Sequence, residues 1–139
     1  MPTKVSRKTV GIIAPSGFVP DPPAVDRAAT FFASRGWKVE AGESVFTREQ
    51  RFAGSDDLRL ADLHRFATDT TVALLVSARG GYGLSRLLDR IDFPAIRARA
   101  PLMVGYSDFT AFNLAYLARG GVSFAGPCAT EFGASEPSA

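Results

Sequence analysis

Apolar residues gather in short runs, and the stretches between them repeat at helical spacing. Val10, Ile12 and Ile13 form one such run, closed by Pro15-Ser16-Gly17, which predicts a buried strand entering a loop. Pro22 and Pro23 suit the first turn of a helix, and Val25, Ala28, Ala29, Phe32 and Ala33 recur on one face before Gly36. Residues 38–41 read as a short strand, and residues 43–54 have no clear period. Ser55 is placed to cap a second helix, with Asp56 and Asp57 in its first turn and Leu60, Leu63 and Ala67 on its apolar side. Residues 72–76 make a second strong buried strand. The glycine loop Arg79-Gly80-Gly81-Tyr82-Gly83 and a short helix with Leu84, Leu87 and Leu88 follow. Residues 92–100 read as a connector with at most one helical turn, and residues 101–105 as a third apolar strand. A helix over 109–119 carries Phe109, Phe112 and Tyr116 on one face, ends at Gly120-Gly121, and leads to a last strand at 122–124.

Strands alternating with helices predict an α/β fold with a parallel sheet. The length of 139 residues fits one domain, and 46% hydrophobic with 22% charged residues is an ordinary globular balance. The net charge is only +2, and the basic residues are scattered (Lys4, Arg7, Lys8, then Arg79, Arg86, Arg90, Arg97 and Arg99) with no aromatic interleaving. Nucleic acid is therefore not an expected partner. A single cysteine, Cys128, rules out an internal disulfide and suits a reducing compartment. The first nine residues are polar, and no apolar run approaches the ~18 residues of a membrane span. No membrane partner is expected, and the cytoplasm is the expected location.

In open α/β sheets, ligands bind beyond the carboxyl ends of the strands. Those ends carry Pro15-Ser16-Gly17, the 79–83 glycine loop, Gly105-Tyr106-Ser107-Asp108 and Gly126-Pro127. Ser107 stands on a strand-to-helix turn, where a hydroxyl projects and helix amides can stabilise an oxyanion. Phe109 stands where the G-x-S-x-G elbow has its second glycine, and a serine there can also serve simply as a helix cap. The glycine loop matches neither common nucleotide motif. Its amides can hold an anion or close a tight turn, and Arg79 can pair with a carboxylate. His64, the only histidine, falls mid-helix away from that edge and reads as structural, so the chain offers Ser107 no evident general base. Cys128 reads as a small hydrophobe. No cluster has metal-ligand spacing, and no cofactor is expected.

Four segments occur in register: Ile12-Ile13-Ala14-Pro15-Ser16-Gly17, Phe52-Ala53-Gly54-Ser55-Asp56-Asp57, Ala78-Arg79-Gly80-Gly81-Tyr82-Gly83 and Gly105-Tyr106-Ser107-Asp108-Phe109-Thr110. Together they resemble the N-terminal half of the LD-carboxypeptidases, serine peptidases that trim muropeptides, and of their microcin-immunity-type relatives. The resemblance implies a flavodoxin-like, doubly wound parallel sheet over residues 1–132. Residues 133–139 would begin a linker to a C-terminal domain absent from this chain. It implies Ser107 as nucleophile, the amides of Asp108 and Gly81 as oxyanion hole, and Arg79, Gly80 and Tyr82 as substrate-binding residues. The family's catalytic Glu and His lie in the second domain, which would account for the missing base and leave this stretch inactive alone. The implied reaction releases terminal D-alanine from a murein tetrapeptide, in a homodimer. A related peptidase acting on a peptide-nucleotide or other amide, and a non-catalytic flavodoxin-like binding module, are the alternatives. Ala125-Gly126-Pro127-Cys128 departs from the family's usual His-Gly-Pro-Met.

Overall fold

The computed structural model describes residues 8–134. Most of the expected N-terminal tail and of the 133–139 linker lies outside them. Four parallel strands, β1 (Thr9–Ile13), β2 (Lys38–Ala41), β3 (Val72–Ser77) and β4 (Leu102–Val104), stand in the order β2-β1-β3-β4. This is the opening order of the flavodoxin-like sheet, with its switch point between β1 and β3. Among the described residues four α-helices accompany them: α1 (Pro22–Ala33), α2 (Asp56–Thr68), α3 (Phe93–Arg99) and α4 (Thr110–Leu117).

The alternation along β1 divides the core into two layers. Val10 and Ile12 face α1, where Val25, Ala28 and Phe32 pack with Val76 and Ala129. Ile13 faces the other side, with Leu63 and Phe66 of α2, Ile96 of α3, and Phe112 and Tyr116 of α4. Each fully buried Leu, Ile or Phe contributes on the order of 1.5–3 kcal/mol. Gly11 lets α2 lie close to the sheet, because a Cβ there would stand 2.7 Å from Phe66 Cδ1. Ser55 caps α2 as expected, its hydroxyl accepting from the Leu58 N–H at 3.1 Å.

Three local readings change. Residues 93–99 form a true helix, because the Asp92 carboxylate caps it at the Ala95 N–H (3.1 Å) and Ala100 closes it in the left-handed region at φ +50°. The expected strand at 122–124 shrinks to one parallel bridge, Phe124 to Val104. The helix after Ser107 starts with a 3-10 turn, Ser107–Phe109, so α4 is shorter than 109–119. His64 is structural as expected: its Nε2 accepts from the Asp92 N–H at 2.9 Å, fastening α2 to the start of α3. Among the described residues no helix is long and apolar enough to cross a membrane.

Candidate active site

β1, β3 and β4 are parallel, so the loops that follow them emerge on one edge of the sheet. The Gly17 N–H donates to the Gly80 carbonyl at 3.0 Å, joining the first loop to the glycine loop. In a trans peptide the N–H points opposite to the C=O, so the Gly81 N–H faces away from Gly17. Gly81 takes φ +94°, which glycine adopts without strain, and a Cβ there would come within 3.0 Å of Gly17 Cα.

Across this loop stands Ser107. A Cβ on Gly80 would lie 2.7 Å from Ser107 Oγ, 2.8 Å from its Cβ and 3.5 Å from the Asp108 nitrogen. Only glycine leaves the hydroxyl its room. Ser107 itself has φ +59°, a left-handed conformation costing a residue with a Cβ on the order of 1–2 kcal/mol. It is exposed, its hydroxyl has no hydrogen-bond partner among the described residues, and it does not cap the helix. Tyr106 holds the cap position instead, without a side-chain bond. Neither the Gly81 nor the Asp108 N–H has an acceptor among the described residues.

Arg79, Gly80, Gly81, Tyr106, Ser107, Cys128, Thr130 and Glu131 line one open cleft of about 310 Å³. The structure thus brings four of the six candidate residues into one cavity. Arg79 is half-buried, its Nη1 donating to the Phe18 carbonyl at 2.8 Å. Asp108 presents its backbone beside Gly80 but spends its side chain elsewhere, Oδ2 accepting from the Leu84 N–H at 3.0 Å. Tyr82 is outside the cavity wall and packs against Phe52 at 5.8 Å. A larger cleft of about 480 Å³ runs past Glu49, Phe52, Asp56, Asp57, Arg86 and Arg90. Its cations are already paired with its acids, Arg86 with Asp56 at 2.9 Å and Arg90 with Asp57 at 2.5 Å, and Ser107 does not line it. The candidate residues Arg79, Gly80, Gly81 and Ser107 line the smaller cleft.

Two features there escape sequence reasoning. Glu131 clamps the far wall: Oε1 accepts from the Tyr106 hydroxyl at 3.0 Å and Oε2 from the Cys128 N–H at 2.7 Å. The Glu131 hydrogen bond is the main reason the Tyr106 phenol is held above its usual value. Burial is the main reason the Cys128 thiol is held above its usual value. The other feature is Arg59, wholly buried behind the loops. Arg59 answers to one weak signal, its place on the buried face of α2 with Asp62, Leu63 and Phe66.

This arrangement can do acyl-transfer chemistry: an accessible hydroxyl on a strained turn, two unspent amides beside it, and a cation at the rim. A family model described as LD-carboxypeptidase N-terminal domain matches residues 10–126. The probable murein peptide carboxypeptidase of Bacillus subtilis is 40% identical over 120 residues, covering 86% of this chain and 37% of that protein. A muramoyltetrapeptide carboxypeptidase from Oxalobacter formigenes superposes with a TM-score of 0.84 at 38% identity, over 95% of this chain and 44% of that one. The microcin C7 self-immunity protein MccF, solved with aspartyl sulfamoyl adenosine, superposes with a TM-score of 0.87 at 25% identity, over 94% of this chain and 40% of that one. The chain therefore spans less than half the length of these relatives.

Proposed function

The chain belongs to the LD-carboxypeptidase N-terminal domain family, and on that footing we propose that it carries the nucleophile of a serine carboxypeptidase releasing terminal D-alanine from a murein tetrapeptide. The observation that supports this reading best is Ser107, held at φ +59° with an unpaired hydroxyl against Gly80. Strain of that kind is retained where the surrounding structure imposes it, commonly at sites of chemistry.

In the proposed reaction the Ser107 hydroxyl attacks the carbonyl of the diaminopimelate–D-alanine amide as a base takes its proton. The Gly81 and Asp108 amides receive the oxyanion. The C–N bond breaks, the D-alanine nitrogen takes the proton, and water then cleaves the acyl-enzyme. Arg79, at the cleft rim, pairs with a substrate carboxylate. The base is the Glu-oriented His that the family resemblance implies in a second domain; His64, on α2, is committed to the Asp92 N–H at the start of α3. The 139-residue chain alone is accordingly expected to be inactive. A homodimer and a cytoplasmic location complete the proposal.

The test is free D-alanine released from a murein tetrapeptide by the native-length protein and by its Ser107→Ala variant. Release by the parent and none by the variant is expected. Full activity in the variant would overturn the assignment of the nucleophile. A second reading, cleavage of an aminoacyl-nucleotide amide, draws on the likeness to MccF bound to aspartyl sulfamoyl adenosine. Parallel assays with murein tetrapeptide and an aminoacyl sulfamoyl adenosine separate the two.

A further inference from the structure

The geometry points to Arg59 as the positioning residue of the oxyanion-binding loop, an inference that rests on the proposed reaction. Arg59 is 0% exposed, although it is a permanent cation on a helix that begins at the protein surface. A buried charge is costly unless each of its donors is met. Here they are met by backbone at the active edge. Nη1 donates to the Pro15 carbonyl at 2.8 Å and to the Gly83 carbonyl at 3.0 Å, and Nε to the Gly54 carbonyl at 3.2 Å. Nη2 is paired with the Asp56 carboxylate, which in turn accepts from Nε and Nη2 of Arg86. Burial pulls the Arg59 pKa down, and the Asp56 charge opposes that pull.

These partners fix the glycine loop from both ends. At its entry, Pro15 is held by Arg59, and the neighbouring Gly17 N–H holds the Gly80 carbonyl. At its exit, Arg59 holds the Gly83 carbonyl directly, while Asp108 holds the next amide, Leu84. Only Gly81 and Tyr82 lie between the anchors. The orientation of the Gly81 N–H is therefore set by a guanidinium that touches neither the cleft nor Ser107. Gly83, at φ +138°, belongs to the same device, since a Cβ there would stand 2.8 Å from Arg59 Nη1. One ammonium has neither the fork nor the reach to bind the Pro15, Gly54 and Gly83 carbonyls together.

The experiment compares the native-length wild type with Arg59→Lys on murein tetrapeptide, with rates normalised to the fraction of Ser107 titrated by a fluorophosphonate. A positioning role lowers kcat roughly 10- to 100-fold with KM within about twofold. Affinity for a tetrapeptide boronate that mimics the tetrahedral adduct falls by a similar factor. A purely structural role lowers the melting temperature and the titratable fraction but leaves kcat per titrated site and boronate affinity unchanged, which would overturn the inference. A second measurement needs neither a folded variant nor activity: backbone 15N order parameters of residues 79–84 in the wild type. Values near 0.85, as in the strands, are expected, and values below about 0.6 would show a loop that Arg59 does not hold. If the wild type releases no D-alanine, the proposed reaction fails, and the order parameters still decide whether Arg59 fixes the loop.

Discussion

The Asp108 carboxylate accepts a hydrogen bond from the Leu84 main-chain N–H at 3.0 Å, across 24 residues of sequence. The residue after the candidate nucleophile thus fastens the exit of the glycine loop. Leu84 is fully buried, so its N–H has no water to turn to. Asp108→Ala should destabilise the fold by about 1–3 kcal/mol, the cost of an orphaned buried donor. Asp108→Asn retains an accepting oxygen and should cost less than half as much. Urea midpoints of the two variants check this, and equal losses would show that the hydrogen bond matters little.

Ser107 can be relieved of strain in only one way. Ser107→Gly removes the Cβ that opposes φ +59°, whereas Ser107→Ala keeps it. Both variants should lose D-alanine release. The glycine variant should be more stable than the alanine variant by about 1 kcal/mol. Denaturant unfolding of the pair measures the difference directly, and the reverse order would mean the turn is unstrained.

Gly80→Ala places a methyl group 2.7 Å from the Ser107 hydroxyl. Rotation of the serine moves its hydroxyl but not its Cβ, 2.8 Å away, so the turn must shift and the melting temperature should also fall. Turnover should drop at least 100-fold, in line with the cost of a displaced reacting group. Unchanged turnover in a folded Gly80→Ala protein would remove Gly80 from the site.

Asp56 predicts an acid-side stability change. Its carboxyl is held below the usual 3.8 first by the Arg86 hydrogen bond, with the Arg59, Arg86 and Arg90 charges adding and burial opposing. A depressed folded pKa contributes stability that is fully present above the unfolded value and is lost as pH falls through the folded one. The urea midpoint should therefore decline from about pH 5 downward, and more gently in Asp56→Asn than in the wild type. Parallel declines would mean that the ion pair is no more favourable than solvent.

How much of this was legible depends on the kind of residue. The β1 and β3 runs, the Ser55 cap and the two glycine turns are local signals, and they gave the sheet and the edge where Ser107 stands. Residues 92–100 carry little helix signal in sequence, since Ala100 rather than glycine closes the helix, a conformation few alanines adopt. At 122–124 the expected strand is a single bridge, because β propensity does not say how many partners an edge offers. Arg59, between Leu58 and Leu60, carries no local signal of its burial. Its position is nonetheless in register with buried Asp62, Leu63 and Phe66, at i+3, i+4 and i+7. Asp62 is the same case, accepting from the Ser44 N–H at 2.8 Å, a partner 18 residues away that no local pattern announces.

The strand order also has a consequence for biosynthesis. β1 is made first, yet its neighbours are β2 and, some sixty residues later, β3. No hairpin can hold it meanwhile, and such non-local pairing is slow to form. The cleft closes later still, when Cys128, Thr130 and Glu131 supply its far wall. A growing chain therefore reaches Glu131 before the site is formed, and the strained serine turn is fixed only after the glycine loop it faces already exists.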